Sequence, residues 1–145
     1  MKNISFGAIV IGFLALVHTI GCSTLPPIHF KHYPFPKGEA FYGNIQRPYL
    51  TLGTVRSKVD FVSLDINHEE RELCINYFNK AVRDLVSTAK RQGGDAVIDV
   101  KSVVYLEDGR QETYPRPECS DDGLEGQILA QGIVVKWKPK NLENL

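Results

Sequence analysis

The chain has 145 residues, with 17 Lys and Arg balanced by 17 Asp and Glu for a formal net charge of zero. That balance lacks the basic excess of a nucleic-acid binder. The length, once a leader is set aside, leaves room for one modest hydrophobic core and not for two domains.

Met1–Ser5 carries a single charge, Lys2, and Phe6–Ile20 is mostly apolar over 15 residues. A signal h-region has this length, whereas a spanning helix needs roughly 20. Thr19-Ile20-Gly21-Cys22 then resembles the bacterial lipobox, Leu-Ala/Ser-Gly/Ala-Cys, with Thr19 in place of the usual Leu and His18 interrupting the apolar run. The resemblance implies a signal peptide over residues 1–21, cleavage before Cys22 and lipidation of Cys22. A cleaved ordinary signal and a retained anchor are the alternatives. Ser23 stands where inner-membrane retention in enteric bacteria favours Asp, which implies the outer membrane. Loss of residues 1–21 removes Lys2 and no acid, taking the formal charge from 0 to −1.

Residues 22–48 hold Pro26, Pro27, Pro34, Pro36 and Pro48 without apolar periodicity. Such a segment is extended and partly polyproline-like, a semi-rigid tether that would hold a domain off the bilayer. Its aromatics are expected to pack loosely on the domain or at the membrane interface. Its histidines, His29 and His32, lack the further ligands a metal centre needs, so neither metal nor cofactor is expected.

The domain is read over residues 49–138. In Tyr49–Phe61 the positions Val55, Val59 and Phe61 alternate with Arg56, Lys58 and Asp60, a strand pattern in which Gly53 marks a bulge. A helix is expected from Asp65 or Asn67, with Asn67 and Glu70 spaced as a capping box. Its apolar stripe runs through Cys74, Phe78, Ala81, Val82, Leu85 and Ala89, and Gly93-Gly94 stops it. Asp95–Leu106 reads as a strand with Ala96, Ile98, Val100, Val104 and Leu106 on one face. Glu107-Asp108-Gly109-Arg110 is a hairpin turn into Gln111–Tyr114. Arg116–Gly126 is a loop containing Cys119. Gln127–Lys138 closes the sheet, with a bulge at Gly132, and residues 139–145 form a polar tail. The order β-α-β-β-β predicts an α+β fold, one long helix packed on a small, mostly antiparallel sheet.

With Cys22 lipidated, Cys74 and Cys119 remain as a possible pair, and an exported, oxidising setting permits a disulfide between them. Free buried thiols and a redox or metal-binding pair are the alternatives, the latter without C-x-x-C spacing to favour it. A disulfide across this separation of 45 residues contributes about 4 kcal/mol in the chain-entropy model. Glu118, Asp121, Asp122 and Glu125 gather in one loop, but not at EF-hand spacing, and read as a solvated acidic loop. His29, His32 and His68 sit in no nucleophile motif, so no enzyme is expected.

Gly94-Asp95-Ala96-Val97-Ile98-Asp99-Val100 after a helix, Gly132-Ile133-Val134-Val135 near the end, and Leu52-Gly53-Thr54-Val55 at the first strand resemble the YbjQ-like family and the related RcsF-like lipoprotein domains. The resemblance covers residues 50–135. RcsF-like domains carry four domain cysteines, whereas this chain has two. The resemblance implies a cell-envelope protein, at the outer membrane with its domain in the periplasm or at the surface. The expected partners are the membrane, through the N-terminal lipid, and another envelope protein, in a binding or envelope-stress-sensing role. A self-assembling structural envelope protein, as a homo-oligomer, or after it a small metal-binding domain, is the alternative.

Overall fold

The structure is a computed structural model, and it describes residues 30–62, 68–121 and 125–139. The signal segment, Cys22, His29, Asn67 and Asp122 lie outside the described residues. The chain divides into two units, Met1–Phe30 and Lys31–Leu145, and the fold that follows belongs to the second.

Alternation sets the first strand, β1 (Tyr49–Val62): Val55, Val59 and Phe61 are buried, and Arg56, Lys58 and Asp60 face water. Successive side chains of a strand point to opposite faces, so this pattern builds one inner and one outer face. The phase changes at Leu52, an extra residue between the Thr51–Val135 and Gly53–Val134 pairs. Gly53, at φ +146°, adopts the backbone conformation that this bulge requires.

The helix α1 (Glu70–Arg91) buries Leu73, Asn76, Phe78, Ala81, Val82, Leu85, Val86 and Ala89 along one stripe. Glu70 and Glu72 in its first turn and Lys90 and Arg91 in its last complement the helix dipole. It ends in a Schellman motif: Gly94 N–H donates to the Ala89 carbonyl at 2.9 Å and Gly93 N–H to that of Lys90 at 3.0 Å, with Gly93 at φ +78°. One expectation is corrected here. The helix starts at Glu70, with extended Glu69 as N-cap and no side-chain cap. A capping box on Asn67 needs a start at His68, two residues earlier. Cys74 packs half-buried against the core, on the expected stripe, with Leu73 and Asn76 buried beside it.

Four further strands follow: β2 (Ala96–Tyr105), β3 (Gln111–Tyr114), β4 (Ser120–Asp121) and β5 (Glu125–Trp137). The sheet order is β1-β5-β2-β3, with β4 paired to β5, and every one of these pairs is antiparallel. Both β1 and β2 run antiparallel to β5, hence parallel to each other. The helix is the crossover between them, and β5 inserts into the gap it leaves. This is the expected α+β class, with the two-residue β4 as an addition from the Cys119 loop.

The single face expected along β2 is corrected by a bulge. Between the Ile98–Ile133 and Lys101–Gln131 pairs, Asp99 and Val100 together oppose Gly132, and Asp99 sits at φ 52°. The phase therefore switches. Val97 and Val100 join the core under α1, whereas Ala96 and Ile98 join a second cluster on the other side of the sheet. The bulge expected at Gly132 lies on the partner strand instead. Gly132 is needed for closeness: a Cβ there would lie 2.3 Å from Val97 Cγ1.

The tether expectation is corrected as well. From Lys31 onward the segment belongs to the fold, so the boundary lies at 30/31 and not at 48/49. Asn76, 4% exposed on α1, donates through Nδ2 to the Lys31 carbonyl at 2.9 Å and accepts from Tyr33 N–H at 2.7 Å. Asn79 donates to the Tyr33 carbonyl at 3.0 Å. Further along, Val97 N–H donates to the Glu39 carbonyl at 2.9 Å, and Phe41 N–H donates to the Val97 carbonyl at 3.0 Å. The segment thus straps α1 and then lies parallel along the part of β2 that β3 is too short to cover. Its Phe41 and Ile45 pack, with Tyr49 of β1 and Trp137 of β5, over Ala96, Ile98 and Val135, which closes the second apolar cluster.

Candidate functional site

β1 is an edge strand, and among the described residues it pairs with β5 alone. An unpaired edge presents a row of backbone donors and acceptors to any extended segment. This edge is 14 residues long, and it carries Leu50 and Leu52, 52% and 43% exposed, with half-exposed Val62 at its far end. Leu50 precedes the bulge and Leu52 occupies it, and neither belongs to either core cluster. The outer face of the same strand is polar. Lys58 pairs with Asp60 at 3.1 Å, and Gln127 donates to Asp60 at 3.2 Å. The hydrogen bond from Lys58, with that from Gln127, holds the Asp60 carboxyl below the usual carboxylate range. Arg56 donates to Gln131 at 2.8 Å, Gln111 at 3.1 Å and Tyr105 at 3.3 Å, which spans the sheet from β1 to β3.

Cys74 and Cys119 are joined as a disulfide, with Sγ atoms 2.12 Å and Cα atoms 5.9 Å apart. The bond pins the segment before β4 to the first turns of α1. Nearby, Glu118 N–H donates to Ser102 Oγ at 3.0 Å, which satisfies a fully buried hydroxyl on β2. A shallow groove lies over the disulfide, lined by Glu70, Arg71, Ile75 and Arg116. Of the acidic loop, Glu118 is held toward β2 by its backbone, and Asp121 pairs with Gly126 through the strand ladder. Among the described residues no three His, Cys, Asp or Glu side chains gather around a common ion position. His32 is exposed on the strap and His68 precedes α1.

Two tyrosines are shifted. Burial raises the Tyr42 phenol, which stacks on Phe35 at 4.7 Å, and a hydrogen bond to Glu112 raises that of Tyr114. Trp137 packs edge-on against Phe41 and Tyr49, with the Arg47 guanidinium 4.5 Å from its ring centroid. The residues that sequence reasoning missed are Asn76 and Asn79. Two amides three residues apart within an apolar helical stripe were the available signal, because a buried amide demands partners. No described helix is long and apolar enough to cross a membrane.

No family model matches the chain, and no curated protein matches it. Among solved structures, the chain is similar to a protein of unknown function from Pediococcus pentosaceus ATCC 25745, described as a member of the DUF74 family. The two are 14% identical, the likeness covers 68% of this chain and 96% of that one, and the TM-score is 0.48.

Proposed function

We propose that the chain is a cell-envelope lipoprotein, anchored through lipid on Cys22, whose α+β domain is a protein-binding module and not an enzyme. The observation that carries the binding reading is the outer edge of β1, long, unpaired among the described residues and flanked by exposed Leu50 and Leu52. An extended segment of another envelope protein suits such an edge: main-chain hydrogen bonds supply affinity, and alternate side chains supply specificity. Ser23 after the lipobox cysteine supports an outer-membrane location, and the resemblance to RcsF-like lipoproteins supports a part in sensing envelope stress. Self-assembly through the same edge is the second reading, since a copy of β1 offers the same backbone groups.

A photoreactive amino acid at Leu52, with one at exposed Tyr105 on the outer sheet face as control, tests this in living cells. A discrete adduct from Leu52 alone, lost when Leu50→Lys is added, supports edge binding. An adduct of twice the chain's mass assigns the edge to self-assembly. Equal adducts from both positions, or none, refute the edge. Intact mass from the membrane fraction tests the anchor: it should fit a chain beginning at Cys22 plus acyl groups.

A further inference from the structure

The strap leaves the fold beside α1 through a cluster of cations. Lys31 and Lys80 place their ammonium groups 5.4 and 5.8 Å from the centroid of the same ring, that of Tyr33. Lys80 begins a stripe continued by Arg83, Ser87 and Arg91, three or four residues apart and so on one side of the helix. Arg83 and Arg91 are exposed, and Arg91 donates to Ser87 Oγ at 3.1 Å and Thr88 Oγ1 at 2.8 Å. Lys90 flanks the stripe and pairs with Glu39 of the strap. The acids of this face are Glu39 and Asp84, while Glu70 and Glu72 lie in the first turn, beyond Asn76. The face is thus formally +3 in a chain of net zero charge.

We propose that this basic side of α1 docks on an anionic phospholipid surface. The proposal rests on lipidation at Cys22, and two observations carry it. The first is charge complementarity with headgroup phosphates. The second is the length of chain before the fold: eight residues, Ser23 to Phe30, separate Cys22 from Lys31. Whatever their conformation, these steps span no more than about 30 Å. An anchor at Cys22 therefore holds Lys31, and the cations around it, close to the bilayer interface. Attraction between exposed charges fades beyond roughly 8 Å at physiological ionic strength, so the basic face acts only in contact with the headgroups, and an anchor this near keeps that contact within reach.

The test uses lipidated, full-length mature protein purified from a bacterial membrane fraction. It is reconstituted in vesicles of phosphatidylcholine alone or mixed with phosphatidylglycerol, and lysine acylation is read by peptide mass spectrometry. Lys80 and Lys90 should lose reactivity on the order of fivefold in the anionic vesicles, the weight of one basic side chain near such a surface. They should recover it in about 1 M salt, where screening acts within about 3 Å. Lys58, on the opposite face of the sheet, should keep its reactivity in both. The exposed double variant Arg83→Glu/Arg91→Glu should lose the protection with its fold intact. Equal labelling of Lys80 in both vesicles, in a protein whose mass shows acyl groups, overturns the docking and leaves the anchor standing. A mass without acyl groups overturns the anchor, and the docking with it.

Discussion

Asn76 shows how a single polar residue organises its surroundings. Its amide satisfies one donor and one acceptor of the strap backbone, at Tyr33 and Lys31. Asn76→Leu leaves both without partners, and a buried unsatisfied group costs about 1–3 kcal/mol. The variant should unfold at lower denaturant concentration and be cut faster by trypsin after Lys31. Gly132 acts through space instead. In Gly132→Ala the new methyl meets Val97 Cγ1 at 2.3 Å. Val97 is β-branched and stiff on a strand, so overpacking of about 1–3 kcal/mol is expected in equilibrium unfolding. At the β2–β3 turn, the Asp108 carboxylate accepts from Arg110 N–H at 2.9 Å and from Arg110 Nε at 2.6 Å. The backbone hydrogen bond first, then the side-chain one, lowers its pKa. A carboxyl lowered in the folded state contributes stability above its ordinary pKa and loses it as pH falls through the folded value. The Gly109 amide shift should therefore titrate with a midpoint below that of an ordinary aspartate, and Asp108→Asn should abolish that transition.

The elements are held by a few ties beyond the core. The Cys74–Cys119 disulfide closes a separation of 45 residues and joins the segment before β4 to α1. Replacing both cysteines by Ala should cost about 4 kcal/mol by the chain-entropy model, seen as a lower midpoint in urea. Loss should first appear as faster amide exchange at Ser120 and Gln127, because β4 has two residues and little else to hold it. β5 occupies the centre because its apolar residues fall on both parities: Ile128, Ala130 and Val134 face α1, and Val135 faces the second cluster. β1, apolar on one parity only over most of its length, is suited to the edge it occupies.

At the scale of the molecule, both faces of the sheet carry a cover, one of them only in part. α1 covers one face, and the strap covers the upper part of the other together with an exposed stretch of β2. A chain that begins at Tyr49 uncovers Ala96, Ile98 and Val135 and leaves Val97 and Val100 backbone groups unpaired. It should associate or precipitate in size-exclusion chromatography, whereas a chain beginning at Lys31 should elute as a discrete species.

The sequence by itself determined the elements. Period-two alternation marked β1, the 3–4 stripe and Gly93-Gly94 marked α1 and its end, and the turn at Asp108-Gly109 marked the β2–β3 hairpin. These are local properties, fixed by side-chain direction and backbone sterics within a few residues. The pairing of Cys74 with Cys119 was legible as a possibility by count, and only proximity in space made it a bond. The tertiary structure alone decided the strap, the β2 bulge opposite Gly132 and the place of β5 between β1 and β2. Each of these depends on which backbone groups remain unpaired once the sheet has formed. Pro34 and Pro36 read as a spacer because they forbid helix and internal ladder, yet an extended chain is also the form that lies along an open edge. That choice is made by Asn76 and β2, residues 35 or more positions away, and no local pattern records it.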